Sequence, residues 1–273
     1  MPERLPSSLV GKRIVLTRAA AQSEMLVGEL SERGAIPVVL PLVSFAEPED
    51  FAPFDQAVAQ IDQFDWLILT SAQTVRAVIQ RTADLQLPIV KTGSRLRVAC
   101  VGPVTAEEAR KANLPVEYVA ATHNGVALAN ELGSRVQGAK VLLPRSDRAN
   151  PDLPAALKGH GAQVTEVIAY CTLRPAEVDQ NALKKISGGQ SDAVLFFSPS
   201  AVQHFKELVG AEELRLLPDK LAILAVGPVT ATALREVGVL HFAVALDTNV
   251  ASVVEALEHY FSDTPKVAGV KRA

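Results

Sequence analysis

Cysteine, tryptophan and surplus positive charge are all scarce in this 273-residue chain. It has two cysteines, Cys100 and Cys171, one tryptophan, Trp66, and 27 lysines and arginines against 30 acids, for a net charge of -3. Two thiols make neither a disulfide framework nor a metal-ligand cluster, so a reducing compartment, the cytoplasm, is expected. A mildly acidic chain lacks the concentrated positive field that coating by nucleic acid or anionic membrane requires, and neither partner is expected. A small anionic ligand remains compatible, because a pocket can be positive inside an acidic protein. No run approaches 18 consecutive apolar residues, and Met1 to Ser8 lacks the basic-then-apolar pattern of a secretory signal. The five histidines have no metal-site spacing, and no metal is expected. Gly-x-x-x-x-Gly-Lys-Ser/Thr is absent, as is Gly-x-Gly-x-x-Gly after the first strand, which leaves nucleoside triphosphates and dinucleotides without support. His-Glu-x-x-His and Gly-x-Ser-x-Gly are absent as well.

What the chain does contain is a repeat. Val101-Gly102-Pro103-Val104-Thr105-Ala106 recurs letter for letter at Val226-Gly227-Pro228-Val229-Thr230-Ala231, 125 residues later. Arg18 follows a strand at Ile14 to Thr17, and Arg145 follows one at Val141 to Pro144, a separation of 127. Asp65 to Ser71 aligns with Asp192 to Ser198, again 127 apart, and His123-Asn124 matches Thr248-Asn249 at 125. The landmarks keep their order, so a whole domain-sized unit is duplicated.

Each copy alternates short strands with helices. Strands are expected at Arg13 to Leu16, Pro37 to Leu40, Trp66 to Leu69, Arg97 to Val101 and Glu117 to Val119. The second copy offers Lys140 to Leu143, Val164 to Ala169, Ala193 to Phe197, Leu221 to Val226 and Phe242 to Val244. Helices are expected at Ser23 to Arg33, Thr74 to Thr82, Thr105 to Lys111, Gly125 to Arg135 and Ala251 to Tyr260. Uninterrupted apolar runs such as Val194 to Phe197 mark strands buried on both faces, hence parallel strands between helical layers. The fold class is α/β, as two similar doubly wound, flavodoxin-like parallel sheets of five strands each.

Ligands of such sheets bind beyond the carboxyl ends of the strands. Ser71 caps the helix that follows it, and Ser198-Pro199 places a cap before a proline suited to the first helical position. Thr105 and Glu108 have capping-box spacing, whereas Ala233 stands where the second copy would need the acid. Helix N-termini offer unpaired N–H groups to carboxylate or phosphate oxygens. The duplicated Gly-Pro-Val-Thr turns fit ligand grips and plain capping alike. Arg18 and Arg145 fit either ligand clamps or solvated or salt-bridged residues. Tyr170 fits a packing residue as well as a reactive one, and His123, matched by Thr248, is no shared catalytic group.

Leu16-Thr17-Arg18, the paired strand–serine segments, Tyr170-Cys171-Thr172 and above all the two Val-Gly-Pro-Val-Thr-Ala turns together resemble the uroporphyrinogen-III synthase family, over about Gly11 to Phe261. The resemblance implies two α/β domains joined by a two-stranded linker, with the active site in the cleft. It places residues 1–38 with 174–261 in a discontinuous first domain, 41–172 in the second, and 262–273 in a flexible tail.

It further implies a monomeric, cofactor-free lyase of porphyrin and haem biosynthesis. The substrate would be hydroxymethylbilane, a linear tetrapyrrole with eight carboxylates, closed to uroporphyrinogen III with loss of water and inversion of ring D. Loss of the terminal hydroxyl yields an azafulvene, which the substituted carbon of ring D attacks to give a spiro intermediate. Tyr170 matches the family tyrosine linked with protonating the leaving hydroxyl. Ser71, Thr105, Ser198 and Thr230, with Gly102 and Gly227 in the same turns, match cleft positions that hold substrate carboxylates; Arg18 and Arg145 are further candidates. Ala72 replaces the proline that family members often carry after the serine. The alternative of another class is a two-domain sensor that binds a carboxylated or phosphorylated small molecule without turnover.

Overall fold

A computed structural model describes residues 7–90, 94–245, 247 and 249–263. Thr248, matched above to His123, lies outside them, as do residues 264–273 of the expected tail. Ser262 and Asp263 are helical.

The elements run, in chain order, β1 (Arg13–Leu16), α1 (Ala20–Glu32), β2 (Ile36–Val39), β3 (Ser44–Ala46), α2 (Ala52–Ala59), β4 (Trp66–Leu69), α3 (Ala72–Asp84) and β5 (Arg97–Cys100). Then come α4 (Pro103–Lys111), β6 (Val116–Val119), α5 (Gly125–Leu132), β7 (Lys140–Ser146), α6 (Asp152–Gly159), β8 (Gln163–Leu173) and α7 (Gln180–Ser187). The remainder is β9 (Ala193–Phe196), α8 (Pro199–Val209), α9 (Ala211–Leu216), β10 (Ala222–Val226), α10 (Pro228–Glu236), β11 (Ala243–Ala245) and α11 (Val250–Asp263). The chain divides into two compact units, one of residues up to Ser44 and from Arg174 on, the other Phe45–Leu173.

The first unit carries a five-stranded sheet in the order β2-β1-β9-β10-β11, with parallel pairing of β1 to β2 and β9, and of β10 to β9 and β11. Counted along the chain this is the order 2-1-3-4-5, whose direction reverses between β1 and β9. Alternate residues enter opposite cores. Ile14, Leu16, Ala193, Leu195 and Leu224 pack with α1 and α11 through Leu26, Leu30 and Val253. Val15, Val194, Phe196 and Ile223 pack on the other side with α7, α8 and α10 through Ile186, Phe205 and Leu234. Burial of both faces explains why, Arg13 at the start of β1 apart, these strands are apolar throughout.

The second unit has a six-stranded sheet in the order β3-β8-β7-β4-β5-β6. Its β8-β7-β4-β5-β6 portion is parallel, and its order reverses between β7 and β4. Leu67, Leu69, Val98, Cys100 and Leu142 face α2, α3 and α4 through Phe54, Val78 and Ala109. Trp66, Ile68, Ala99, Val141 and Leu143 face α5 and α6 through Leu128 and Leu157. Each unit therefore joins the opening strands of one sequence copy to the later strands of the other.

Several local expectations change. The second sheet has a sixth strand, β3, a three-residue Ser-Phe-Ala segment with no periodicity of its own. Arg145 does not follow its strand but lies within it, because β7 continues through Pro144 to Ser146. Pro144 is tolerated because the register of β7 with β4 covers Val141 and Leu142 only, so beyond them β8 is the flanking strand. The capping box at Thr105 and Glu108 is not formed: the N-cap of α4 is Gly102, Thr105 lies inside the first turn, and Glu108 pairs with Arg76 at 2.9 Å. α5 ends at Leu132, where Gly133 takes φ 48° and the chain tightens into a 3-10 turn.

Candidate active site

In the second unit the carboxyl edge of the sheet gathers Ser71, Tyr170, Gly102, Thr105 and Arg145. Ser71 ends the β4 segment with extended backbone, and its Oγ accepts the Thr74 amide at 3.1 Å, a full N-cap for α3. The same Oγ lies 3.0 Å from Thr74 Oγ1 and 3.3 Å from the Tyr170 hydroxyl. Tyr170 stands near the end of β8 opposite Ser146 of β7, almost fully buried, with the Phe45 ring edge-on to it at 5.4 Å and 88°. Sequence reasoning missed Phe45; its signal was weak, a lone aromatic in a short segment between Pro41 and Pro48. A cavity of about 370 Å³ opens beside these rings, lined also by Phe51, Gln73 and Arg76.

Arg145 is buried, and both terminal nitrogens of its guanidinium are engaged, Nη1 donating to Glu166 Oε2 at 3.0 Å and Nη2 to the Asn150 carbonyl. Lys158 joins Glu166 at 3.2 Å. Arg145 is thus salt-bridged in this structure. Gly102 and Thr105 stay at the edge as the start of α4, with Thr105 buried.

The first unit presents Arg18, Ser198, Gly227 and Thr230 at its own carboxyl edge. Thr17 fastens the ends of β1 and β9 together, its hydroxyl donating to the Leu195 carbonyl at 2.7 Å. Arg18 follows directly, with its guanidinium carbon 4.2 Å from the centre of the Phe197 ring and its Nε buried without an acceptor among the described residues. Burial lowers its pKa to about 10, so it stays charged at neutral pH. Phe197, which lies next to Ser198, is a residue that sequence reasoning passed over as the end of a strand.

Ser198 caps α8, its Oγ accepting the Ala201 amide at 3.2 Å, with Pro199 at the first helical position. Gly227 precedes α10 with φ 89° and ψ 156°, while Thr230 is buried in the first turn. These edges present backbone N–H groups, hydroxyls and one guanidinium. Such a set suits carboxylates and a proton transfer. Among the described residues, no group of three or more His, Cys, Asp or Glu could hold a metal ion, and no helix is long and apolar enough to cross a membrane.

Comparison with known proteins shows the family and the fold. The Synechococcus elongatus uroporphyrinogen-III synthase is 31% identical over 234 residues, 84% of this chain and 87% of that one. The fold matches that of a mutant uroporphyrinogen III synthase from the extremely thermophilic bacterium Thermus thermophilus, with a TM-score of 0.65 at 21% identity, over 92% of this chain and 99% of that one. The enzyme from Helicobacter pylori superposes with a TM-score of 0.59 at 18% identity, covering 92% and 99% of the two chains. Residues 24–255 match the family model described as uroporphyrinogen-III synthase HemD, and the chain belongs to that family.

Proposed function

We propose that this protein is a cytoplasmic, monomeric cyclase that needs no cofactor and converts hydroxymethylbilane to uroporphyrinogen III. The reaction expels one water, closes the macrocycle and inverts ring D. The family match over residues 24–255 favours this enzyme over a non-catalytic sensor. The observation that carries the assignment of roles is the Tyr170 hydroxyl, 3.3 Å from Ser71 Oγ at the carboxyl edge of the second unit.

Tyr170 donates its proton to the departing hydroxyl, which leaves as water while the adjacent pyrrole nitrogen pushes electrons in to form the azafulvene. The substituted carbon of ring D attacks that centre, and the spiro intermediate breaks and recloses with the ring reversed. The last step returns a proton from the ring, and the phenolate recovers its own. Because the free substrate closes unaided to the uninverted isomer, selectivity comes from holding the reacting ends in place. Ser71, Gly102 and Thr105 in one unit, and Arg18, Ser198, Gly227 and Thr230 in the other, hold carboxylates through hydroxyls, N–H groups and one guanidinium.

The test is to incubate the purified chain with freshly generated hydroxymethylbilane, oxidise, and separate the porphyrin isomers. Isomer III should dominate. A mixture no richer in it than the enzyme-free control would end the proposal.

A further inference from the structure

We infer that the duplicated units have divided their duties: Arg18, held against Phe197, is a side-chain carboxylate anchor, whereas its repeat counterpart Arg145 is architectural. This deepens the proposed activity, and only the nature of the ligand, a polycarboxylated tetrapyrrole, rests on it.

The two arginines stand 127 residues apart at the end of equivalent strands, each where its sheet reverses direction. Ligands of such sheets bind at that reversal. Arg145 is tied down there, because Glu166 and the Asn150 carbonyl each hold one of its terminal nitrogens. At the positions 127 residues earlier the first unit has Val39 and Ser23. Val39 carries no charge, and the Ser23 hydroxyl is turned to the Ala19 carbonyl at 3.0 Å. Arg18 thus lacks both partners that neutralise its counterpart.

Instead it has Phe197, where the corresponding residue of the second unit is Thr70. The Phe197 ring lies 4.2 Å from the guanidinium carbon and offers the cation no hydrogen-bond acceptor. A carboxylate is the group that a guanidinium binds through two parallel hydrogen bonds. The buried Nε has no acceptor among the described residues. Folded proteins seldom leave such a donor unmet, and a bound anion is the group that meets it. The lowered pKa agrees, since burial has made the charge costly and no carboxylate offsets it, yet the group remains protonated at neutral pH. Phe197 is accordingly a positioning residue, acting through Arg18.

The experiment titrates the whole chain with uroporphyrin III, an oxidised octacarboxylate, at low and moderate salt, and records ligand-free melting in parallel. Arg18→Met should weaken binding about 10- to 100-fold and flatten its salt dependence. It should melt no lower than the wild type, because an unmet donor and an unpaired charge are gone. Arg145→Met should melt lower, since it removes a buried guanidinium that holds Glu166 and the Asn150 carbonyl. Arg18→Lys, which keeps charge without the fork, should recover only part of the affinity. Phe197→Leu should raise the KM for hydroxymethylbilane about 3- to 10-fold with kcat held within about twofold.

Unchanged uroporphyrin affinity and unchanged KM in Arg18→Met would overturn the inference. So would a ligand-free melting loss in Arg18→Met as large as that of Arg145→Met. Arg18-dependent porphyrin binding without enrichment of isomer III would remove the enzymatic reading and leave the anchor standing. The opposite pattern would remove the anchor and leave the enzyme.

Discussion

The Tyr170 hydroxyl lies 3.3 Å from Ser71 Oγ, joining the ends of two strands, β8 and β4, that flank β7 on opposite sides. Ser71 Oγ already accepts the Thr74 amide, and its own proton can be given to the phenol oxygen. A cap that builds a helix thereby also touches the phenol.

Replacing Tyr170 by Phe should lower kcat about 10²- to 10⁴-fold, the usual contribution of a positioned acid, and leave KM nearly unchanged. Stability should fall by no more than about 1 kcal/mol, since one long hydrogen bond is lost and the edge-on contact with Phe45 is retained. Initial rates at matched fractions of folded protein provide the measurement. A kcat equal to the wild type's would take Tyr170 out of the acid's role.

Ser71 and Ser198 cap equivalent helices, and each Ser→Ala change should cost about 1 kcal/mol, read as a shift in the urea midpoint. Their kinetic effects should differ. Ser71→Ala releases the phenol and should lower kcat as well. Ser198→Ala touches no such partner and should act mainly on KM. Parallel kinetic losses in the two variants would argue that the Ser71 contact with Tyr170 has no part in the chemistry.

The α/β alternation was legible because buried parallel strands leave long apolar runs, and most strand positions in the two repeats follow from them. The places where reading failed share a physical cause. β3 has three residues and no period, so it exists only because β8 offers a neighbour. Pro144 looks like a strand terminator, yet β7 passes through it once its register with β4 has ended. Thr105 and Glu108 have capping spacing, but Gly102 starts the helix one turn earlier and Arg76 takes the acid. At the site, Ser71, Ser198 and the duplicated turns were visible as capping patterns. The difference between Arg18 and Arg145 was not, because it depends on Glu166, Asn150 and Phe197, which only tertiary structure brings to them.

The two Val-Gly-Pro-Val-Thr-Ala turns share their letters but not their backbone. Gly102 is extended at φ -157°, whereas Gly227 takes φ 89° and ψ 156°, a region that side chains avoid. Gly227→Ala should therefore lose about 1–3 kcal/mol by thermal or urea unfolding. At Gly102 a new Cβ would meet His123 at 3.7 Å, ordinary contact, so Gly102→Ala should cost well under half of that. Equal losses would mean that the repeat keeps one conformation after all.

Acid sensitivity provides a separate check on the loop before α5. Glu131 accepts the amides of Ala121 at 2.9 Å and Thr122 at 3.2 Å, and the Tyr118 hydroxyl at 3.2 Å. The Ala121 amide is the largest influence holding its carboxyl below the usual range, with further help from Thr122, Tyr118 and His123. The folded pKa is lowered, so the stabilisation is complete above the unfolded value and is lost as pH falls through the folded one. Glu131→Gln keeps the size but not the charge and should cost about 1 kcal/mol at pH 7. Urea midpoints of variant and wild type should converge as the pH falls through the carboxylate range. If the gap stays constant down to the acid transition, the loss comes from packing, and the charged acceptor is not what fixes the turn that carries Asn124 to the start of α5.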